Sequence, residues 1–600
     1  MGFSITSTVE RVLAITELVD LICELSPRYG TTDWSIYSSY DNSSPGLSTY
    51  GALPVLARTT KFLSKRALRV LWRRLDSFWP LLRLLPGDLL DSGDSPSYLG
   101  EQDGHDYAVC PFPLITTRCL LLTQTRQALR TPQLEDFVRY TYYAKFVQYI
   151  SCAQEEVLPQ HTFDILVTRT APVFPRLRRL QFFVPLGTIH RSQYHHFLHP
   201  SLRELILHDN GPVNATMGLF LSMVEQRCTK LRALQVVPYW FPRSDYDIHA
   251  ALGKCLTSLA HLTILSISVT CRSMGRALSL LESRLQRLVH LTLFLVDGTP
   301  SDAIYFPPNR VLLPNLTSLS FVAPFPDIIL MPFLPPPNLE VLHIRSQTSM
   351  HEDVWAATSE AVADFAKDLV GLKEVLVFDY HPFNDDPGQG NTFTPEVSEV
   401  GLGSLLKRNF LKSVCITTTI YISPTPALLQ SVIDAWKDHL ELFVLSPIAY
   451  LINGPVPPAT LQDVIKFAFK CPKLVRVGML FNAKKPRPAI ASTTTTSTTV
   501  VKKENENEEE EGEGEGEGEG EEIEEEEEEE FYDVPTAPHV RELMAGAAWI
   551  DDIDYVVRLL KHGFPCLRRI DWADSETYLA MPEDRAKKWE VVEKKLGLGP

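Results

Sequence analysis

One spacing recurs along the chain: a leucine, two variable residues, an aliphatic residue, one variable residue and a second aliphatic or aromatic residue. The clearest copy is Leu202, Leu205 and Leu207, followed by Asn210, in L-R-E-L-I-L-H-D-N. An earlier copy is Leu177/Leu180/Phe182. Later ones are Leu231/Leu234/Val236, Leu262/Leu265/Ile267, Leu288/Leu291/Leu293, Leu316/Leu319/Phe321, Leu339/Leu342/Ile344 and Leu372/Val375/Val377. Looser copies follow at Leu411/Val414/Ile416, Leu440/Phe443/Leu445, Leu474/Val477/Met479 and Leu567/Ile570/Trp572. Neighbouring central positions lie 23 to 39 residues apart, except the last pair, 93 apart. The final two apolar positions are two residues apart, so they share one face of a strand. A single copy cannot bury that face, whereas copies stacked on both sides can.

The segments between copies read as helices. Residues 215–227, 272–287, 354–369 and 427–439 carry apolar side chains at three- and four-residue spacing. Strand alternating with helix predicts parallel β–α units. The pattern resembles the leucine-rich repeat, whose period is about 20–29 residues. That resemblance implies an α/β solenoid, a horseshoe of parallel strands alternating with helices. The family's asparagine after the strand is present only at Asn210 and Asn482; elsewhere Tyr239, Thr270, Val296, Pro324 or Gln347 stands there. The same spacing occurs singly in ordinary α/β domains, so the reading rests on the number of copies.

At 600 residues the chain is too long for one core, and two or more units are expected. Its net charge of −17 comes from one segment: residues 504–530 hold nineteen glutamates and no basic residue, and the remainder carries +2. Such a balance offers no electrostatic case for nucleic acid or an anionic membrane as partner. The acidic run belongs to a low-complexity stretch, 484–530, which passes from K-K-P-R-P through Thr/Ser to Glu/Gly. That composition cannot bury enough apolar surface to fold and reads as a solvated insertion before the last repeat; a lure for basic partners is the functional alternative.

The ten cysteines include no C-x-x-C pair, against zinc-ribbon and RING-like sites. Cys228 and Cys471 each stand three residues before the leading leucine of a copy, a place for a buried thiol. Glu10 and Arg11 interrupt the early apolar residues, so no secretory signal is expected, and no apolar run reaches the ~18 residues of a spanning helix. A reducing compartment, cytoplasmic or nuclear, fits. His190, His195, His196 and His199 cluster in I-H-R-S-Q-Y-H-H-F-L-H, but their spacing matches no standard metal site. Phosphate-loop and nucleophile-elbow motifs are absent. No catalytic residue, metal or cofactor is expected, and the chain reads as a non-enzyme.

Residues 1–90 differ from the rest. Residues 9–25 form an amphipathic helical stretch containing I-T-E-L-V-D-L-I-C-E-L, and residues 53–75 a second block. The blocks L-P-V-L-A-R-T-T-K-F-L and A-L-R-V-L-W-R-R-L, followed by F-W-P-L-L-R-L-L-P, resemble an F-box. The whole plan, box then repeats, is similar to fungal F-box proteins with leucine-rich repeats. The resemblance implies a Skp-family adaptor as partner and, through it, a cullin ubiquitin ligase, with the repeats holding a protein substrate. It places adaptor contacts at Ile15, Leu18, Leu21 and Ile22, and at Leu56, Leu68, Leu71 and Trp72. Thr16 stands where the family usually has proline, and a loop over 26–50, rich in Ser, Tyr and Gly, is inserted. Without the resemblance, the same helices read as a polar-faced cap for the solenoid, and the chain as a binding scaffold with no ubiquitin link.

The expected organisation is therefore an F-box-like module over 1–90, a linker over 91–106, the solenoid over 107–483, the insertion over 484–530, and a terminal helix and repeat over 531–600. If the strands line the concave side, residues alternating with the buried ones face outward. These include Glu204, Ile206, His208, Gln235, Phe294, His343, Arg345 and Phe378, with Ser266, Ser268, Thr292, Ser318, Ser320 and Glu374 among them. The mix is polar and aromatic with little net charge, which suits protein more than phosphate.

Overall fold

Each leucine spacing that falls on a described residue becomes a strand. The computed structural model describes residues 61–75, 79–82, 84–86, 133–152, 174–182, 197–209, 215–238, 248–269, 281–283, 285–295, 312–323, 330, 333–346, 352–379, 402–407, 410–418, 422–445, 456–484, 533–546, 548–572 and 583–598. The chain divides into two units, residues 1–324 with 332–339, and residues 325–331 with 340–600.

In the first unit, β1 (Arg74–Leu75), β2 (Tyr149–Cys152), β3 (Arg179–Phe182), β4 (Glu204–Asp209), β5 (Ala233–Pro238), β6 (Ile264–Val269), β7 (His290–Leu295) and β8 (Ser318–Ala323) follow in sequence order. Each pairs in parallel with the next. The helices are α1 (Lys61–Leu71), α2 (Trp79–Leu82), α3 (Val138–Ala144) after a 3-10 turn (Leu134–Phe137), α4 (Ala215–Arg227) and α5 (Ile248–Ser258). The central residues Ile150, Leu180, Leu205, Leu234, Leu265, Leu291 and Leu319 stand in one row, none more than 1% exposed. A full burial of this kind stabilises by about 1.5–3 kcal/mol per side chain.

The leading leucines form a second buried ladder, held by a turn that repeats. The amides of Leu177, Leu202, Leu231, Leu262, Leu288 and Leu316 donate to the carbonyls three residues earlier, those of Phe174, His199, Cys228, Leu259, Leu285 and Leu313. That turn points the residue at its start inward, which is why Cys228 is fully buried. Cys471 starts the equivalent turn ahead of Leu474 in the second unit and is also fully buried. Burial pushes the Cys228, Cys255 and Cys471 thiols up to about 12. They stay protonated and poorly nucleophilic at any pH below that. Iodoacetamide at pH 8 is expected to leave these three unmodified in the folded protein while alkylating exposed Cys566, as peptide-level mass spectrometry would show. Labelling of Cys228 or Cys471 without denaturant would contradict the burial.

In the second unit, β9 (Val341–Ser346), β10 (Glu374–Asp379), β11 (Ser413–Thr417), β12 (Leu442–Leu445) and β13 (Arg476–Met479) pair in parallel succession and continue through β15 (Glu542–Met544) to β17 (Arg569–Asp571). A separate parallel pair joins β14 (Asn482–Ala483) to β16 (Trp549–Ile550). The helices are α6 (Glu352–Ala366), α7 (Leu402–Leu405), α8 (Pro426–Trp436), α9 (Leu461–Lys470), α10 (Ile553–Gly563) and α11 (Glu583–Leu596). Helix starts are set by side chains that accept from orphan amides. Thr425 caps α8 by accepting from the Leu428 amide at 3.1 Å, with Pro426 as first helical residue. Thr460 and Asp463 form a capping box on α9, and Asp552 accepts from the Tyr555 amide at 3.0 Å to start α10.

These strands, parallel and in sequence order with leucines in register, have the arrangement of a leucine-rich repeat within each unit. The structure also adds repeats that the leucine spacing does not reveal. Val147, Ile150 and Cys152 lead and form β2, and Val540, Leu543 and Ala545, each at most 1% exposed, form β15 and its flanks. A valine replaces the leading leucine in both, so the apparent 93-residue interval contains one more repeat. Helix α4 matches its predicted span, α6 and α8 begin and end a few residues earlier than the periodicity suggests, and α5 is additional. The helix expected over 272–287 lies mostly outside the described residues. So do residues 26–50, 91–106 and 485–530. Among the described residues, no helix is long and apolar enough to cross a membrane.

Candidate functional site: the outer face of the strands

Side chains that alternate with the buried rows form columns on the opposite face. In the first unit, strand register aligns Arg74, Tyr149, Arg179, Glu204, Ala233, Ile264, His290 and Ser318 in one column. Two residues along, Ser151, Gln181, Ile206, Gln235, Ser266, Thr292 and Ser320 form the next. A third runs through Ser268, Phe294 and Val322. In the second unit the columns are Val341, Glu374, Ser413, Leu442, Arg476, Glu542 and Arg569, then His343, Leu376, Cys415, Val444, Gly478, Met544 and Asp571, then Arg345, Phe378 and Thr417.

The residues expected on this face do alternate with the core, but they are not equally accessible. Glu204 is half-buried and ion-paired with Arg179 at 3.5 Å. Gln235 is half-buried. Ile206 and Phe294 are each 5% exposed and offer little contact surface. Ser266, Thr292 and Ser320 are buried too. His208 lies in β4, paired across from Val237. Burial holds the His290 imidazole below its usual range. In the second unit, His343 Nε2 lies 3.1 Å from Glu374 Oε1, joining adjacent strands, and Arg345 and Phe378 are half-buried neighbours in register.

A cluster that no spacing in the sequence signals starts the first unit's face. The guanidinium carbons of Arg74 and Arg179 sit 4.8 and 5.1 Å from the Tyr149 ring centroid, and the Tyr149 hydroxyl donates to Gln181 Oε1 at 2.9 Å. Cation–π contacts of this type contribute about 0.5–1 kcal/mol when exposed. The cluster depends on β1 and β2 lying beside β3, and neither strand carries the leucine signature. In the last strands of the second unit, Arg476 bridges Glu542 at 3.3 Å and Asp571 at 3.2 Å, and Arg569 holds Asp571 at 2.6 Å.

One position on this face has no room for a side chain. A Cβ on Gly478 would lie 2.8 Å from Met544 Cβ and 3.2 Å from a Val444 methyl. The Met544 Cβ is fixed to a strand, so it cannot swing away. Gly478→Ala is expected to cost about 1–3 kcal/mol in a denaturant titration; an unchanged midpoint would show that β13 and β15 approach less closely.

Of the residues placed by resemblance on the adaptor, Ile15, Leu18, Leu21, Ile22 and Leu56 lie outside the described residues. Leu68 and Leu71 are half-buried on α1. Trp72 follows that helix and stacks on Tyr143 of α3, ring centroids 4.6 Å apart and planes at 29°. Two residues later the chain enters β1. His199 is bonded to its own turn, with Nδ1 2.9 Å from Ser201 Oγ, and His190, His195 and His196 lie outside the described residues. Among the described residues, no three His, Cys, Asp or Glu side chains converge as a metal site.

No protein-family model matches the chain, and neither does any curated protein. Among solved structures it is similar to the leucine-rich repeat-containing protein LegL7 from Legionella pneumophila, at 12% identity and a TM-score of 0.23, over 42% of this chain and 80% of that one.

Proposed function

We propose that this chain recruits a protein substrate to a Skp–cullin ubiquitin ligase, with its N-terminal box on the adaptor and its repeats on the substrate. The observation that carries the reading is the box-like series I-T-E-L-V-D-L-I-C-E-L, L-P-V-L-A-R-T-T-K-F-L and A-L-R-V-L-W-R-R-L standing directly ahead of the repeats. Helix α1 begins with the K-F-L that closes the middle block and ends within the last block, whose final arginine and leucine are β1 itself. Adaptor contacts on α1 would therefore be tied rigidly to the first repeats.

On this reading the chain performs no bond chemistry. Its contribution is to raise the concentration of substrate beside a ubiquitin-charged enzyme. The outer strand face supports a protein as the bound partner. Gln235, His343, Arg345 and Phe378 give half-buried polar and aromatic contacts, and the nearby charges are largely paired with one another. Protein interfaces are built from such mixtures, whereas nucleic acid needs unpaired positive charge.

A second reading has one observation in its favour. Trp72 is half-buried against Tyr143 of α3, beside the first strands, as it would be if the N-terminal helices served only to cap a binding scaffold. Binding of a purified Skp-family adaptor separates the two: the substrate-recruiting chain retains the adaptor, and the capped scaffold does not.

A further inference from the structure

We propose that a cleft in the second unit, at the edge where chain turns from helix into strand, binds an acidic, partly apolar segment of a partner protein. This inference is independent of the ligase reading and concerns a different surface from the outer strand face. The cleft has a volume of about 440 Å³, and its lining includes Lys473, Arg541 and Arg568, Val475 between Pro472 and Pro538, and one acid, Glu441.

Strand register makes the cations converge. Arg541 N donates to Val475 O at 2.9 Å and Arg568 N to Arg541 O at 2.8 Å, so the two arginines leave neighbouring strands at one level, about 4.8 Å apart at the backbone. Like charges directly opposite one another destabilise a sheet. The next residues along the same strands avoid this: Arg476 pairs with Glu542 and Asp571, and Arg569 with Asp571. Among the described residues, Lys473, Arg541 and Arg568 have no ion-pair partner. The acid in the lining, Glu441, is already paired with Lys412 at 3.0 Å. Among the described residues, the cleft therefore presents three cations without a counter-charge.

Its apolar part decides the ligand class. Val475 is 41% exposed, and two prolines flank it. A bare anion would leave that surface in water, whereas a peptide covers it while its carboxylates meet the guanidinium forks bidentately. The chain's own glutamates at 504–530 have the same chemistry, and Glu530 is only eight residues before Pro538. They are a competing occupant that an experiment must separate.

Fluorescence anisotropy of a labelled hexaglutamate peptide tests the proposal on the intact chain and on a chain lacking 504–530, with hexaglutamine as control. The shortened chain is expected to bind hexaglutamate and not hexaglutamine. Arg541→Ala with Arg568→Ala should weaken binding about ten-fold, while Lys561→Ala, a cation removed elsewhere, leaves it unchanged. Weaker binding by the intact chain would support the cleft with the chain's own tract as competitor; equal binding would support it without that competition. Binding indifferent to Arg541 and Arg568, or absent from both chains, overturns the proposal. Displacement of the peptide by inorganic phosphate at matched charge overturns its peptide character.

Discussion

Phe443→Ala is expected to lower the stability of the second unit by about 3–5 kcal/mol. Phe443 is fully buried at the centre of β12, in register between Val414 and Val477. Its ring centroid lies 5.3 Å from that of Phe467 on α9. Truncation removes the contact between strand and helix and leaves a cavity whose walls, β11 and β13, are held by backbone pairing and cannot collapse into it. In a stacked array each repeat depends mainly on its neighbours. The loss should therefore be local: hydrogen exchange should accelerate in β11, β12, β13 and α9 while β3 to β7 of the first unit keep their protection. A loss below about 1 kcal/mol, or one spread evenly over both units, would contradict the nearest-neighbour account of the fold.

Leu18→Asp is expected to weaken capture of a Skp-family adaptor by at least about 100-fold, because it buries an unpaired carboxylate in an apolar interface. Leu18 is placed on the adaptor only by the box resemblance, so this variant tests the resemblance where it is most specific. Trp72→Ala is a less selective probe, since the same ring stacks on Tyr143 and its loss also disturbs the entry to β1. The two variants should differ in a second readout. Leu18→Asp leaves the unfolding midpoint of the repeats in place, and Trp72→Ala lowers it.

The fold was legible in the sequence wherever a repeat kept its leucines. The positions Leu205, Leu234, Leu265, Leu291 and Leu319 occupy one buried row, as their spacing implies. Three strands lie outside the leucine spacing: β1 follows Trp72, and at β2 and β15 valine fills the leading position, at Val147 and Val540, as well as leucine does. The outer face was legible as an alternation and not as a surface. Period two says that Ile206 and Phe294 point away from the core, yet each is only 5% exposed, and exposure is a tertiary property that a two-residue period does not carry. The same holds for the ring of Tyr149 between Arg74 and Arg179, and for the cleft at Arg541 and Arg568. Both are assembled from residues on different strands, remote from one another in the chain.

Recruitment to the ligase depends on the N-terminal box. Calorimetric titration of a purified Skp-family adaptor into the 600-residue chain measures that directly, with the repeats' folding checked by circular dichroism. The account predicts a saturable one-to-one complex that Leu18→Asp abolishes while the spectrum stays unchanged. No heat and no co-purification with a fully folded intact chain would contradict it, and would leave the protein a leucine-repeat scaffold capped by helices.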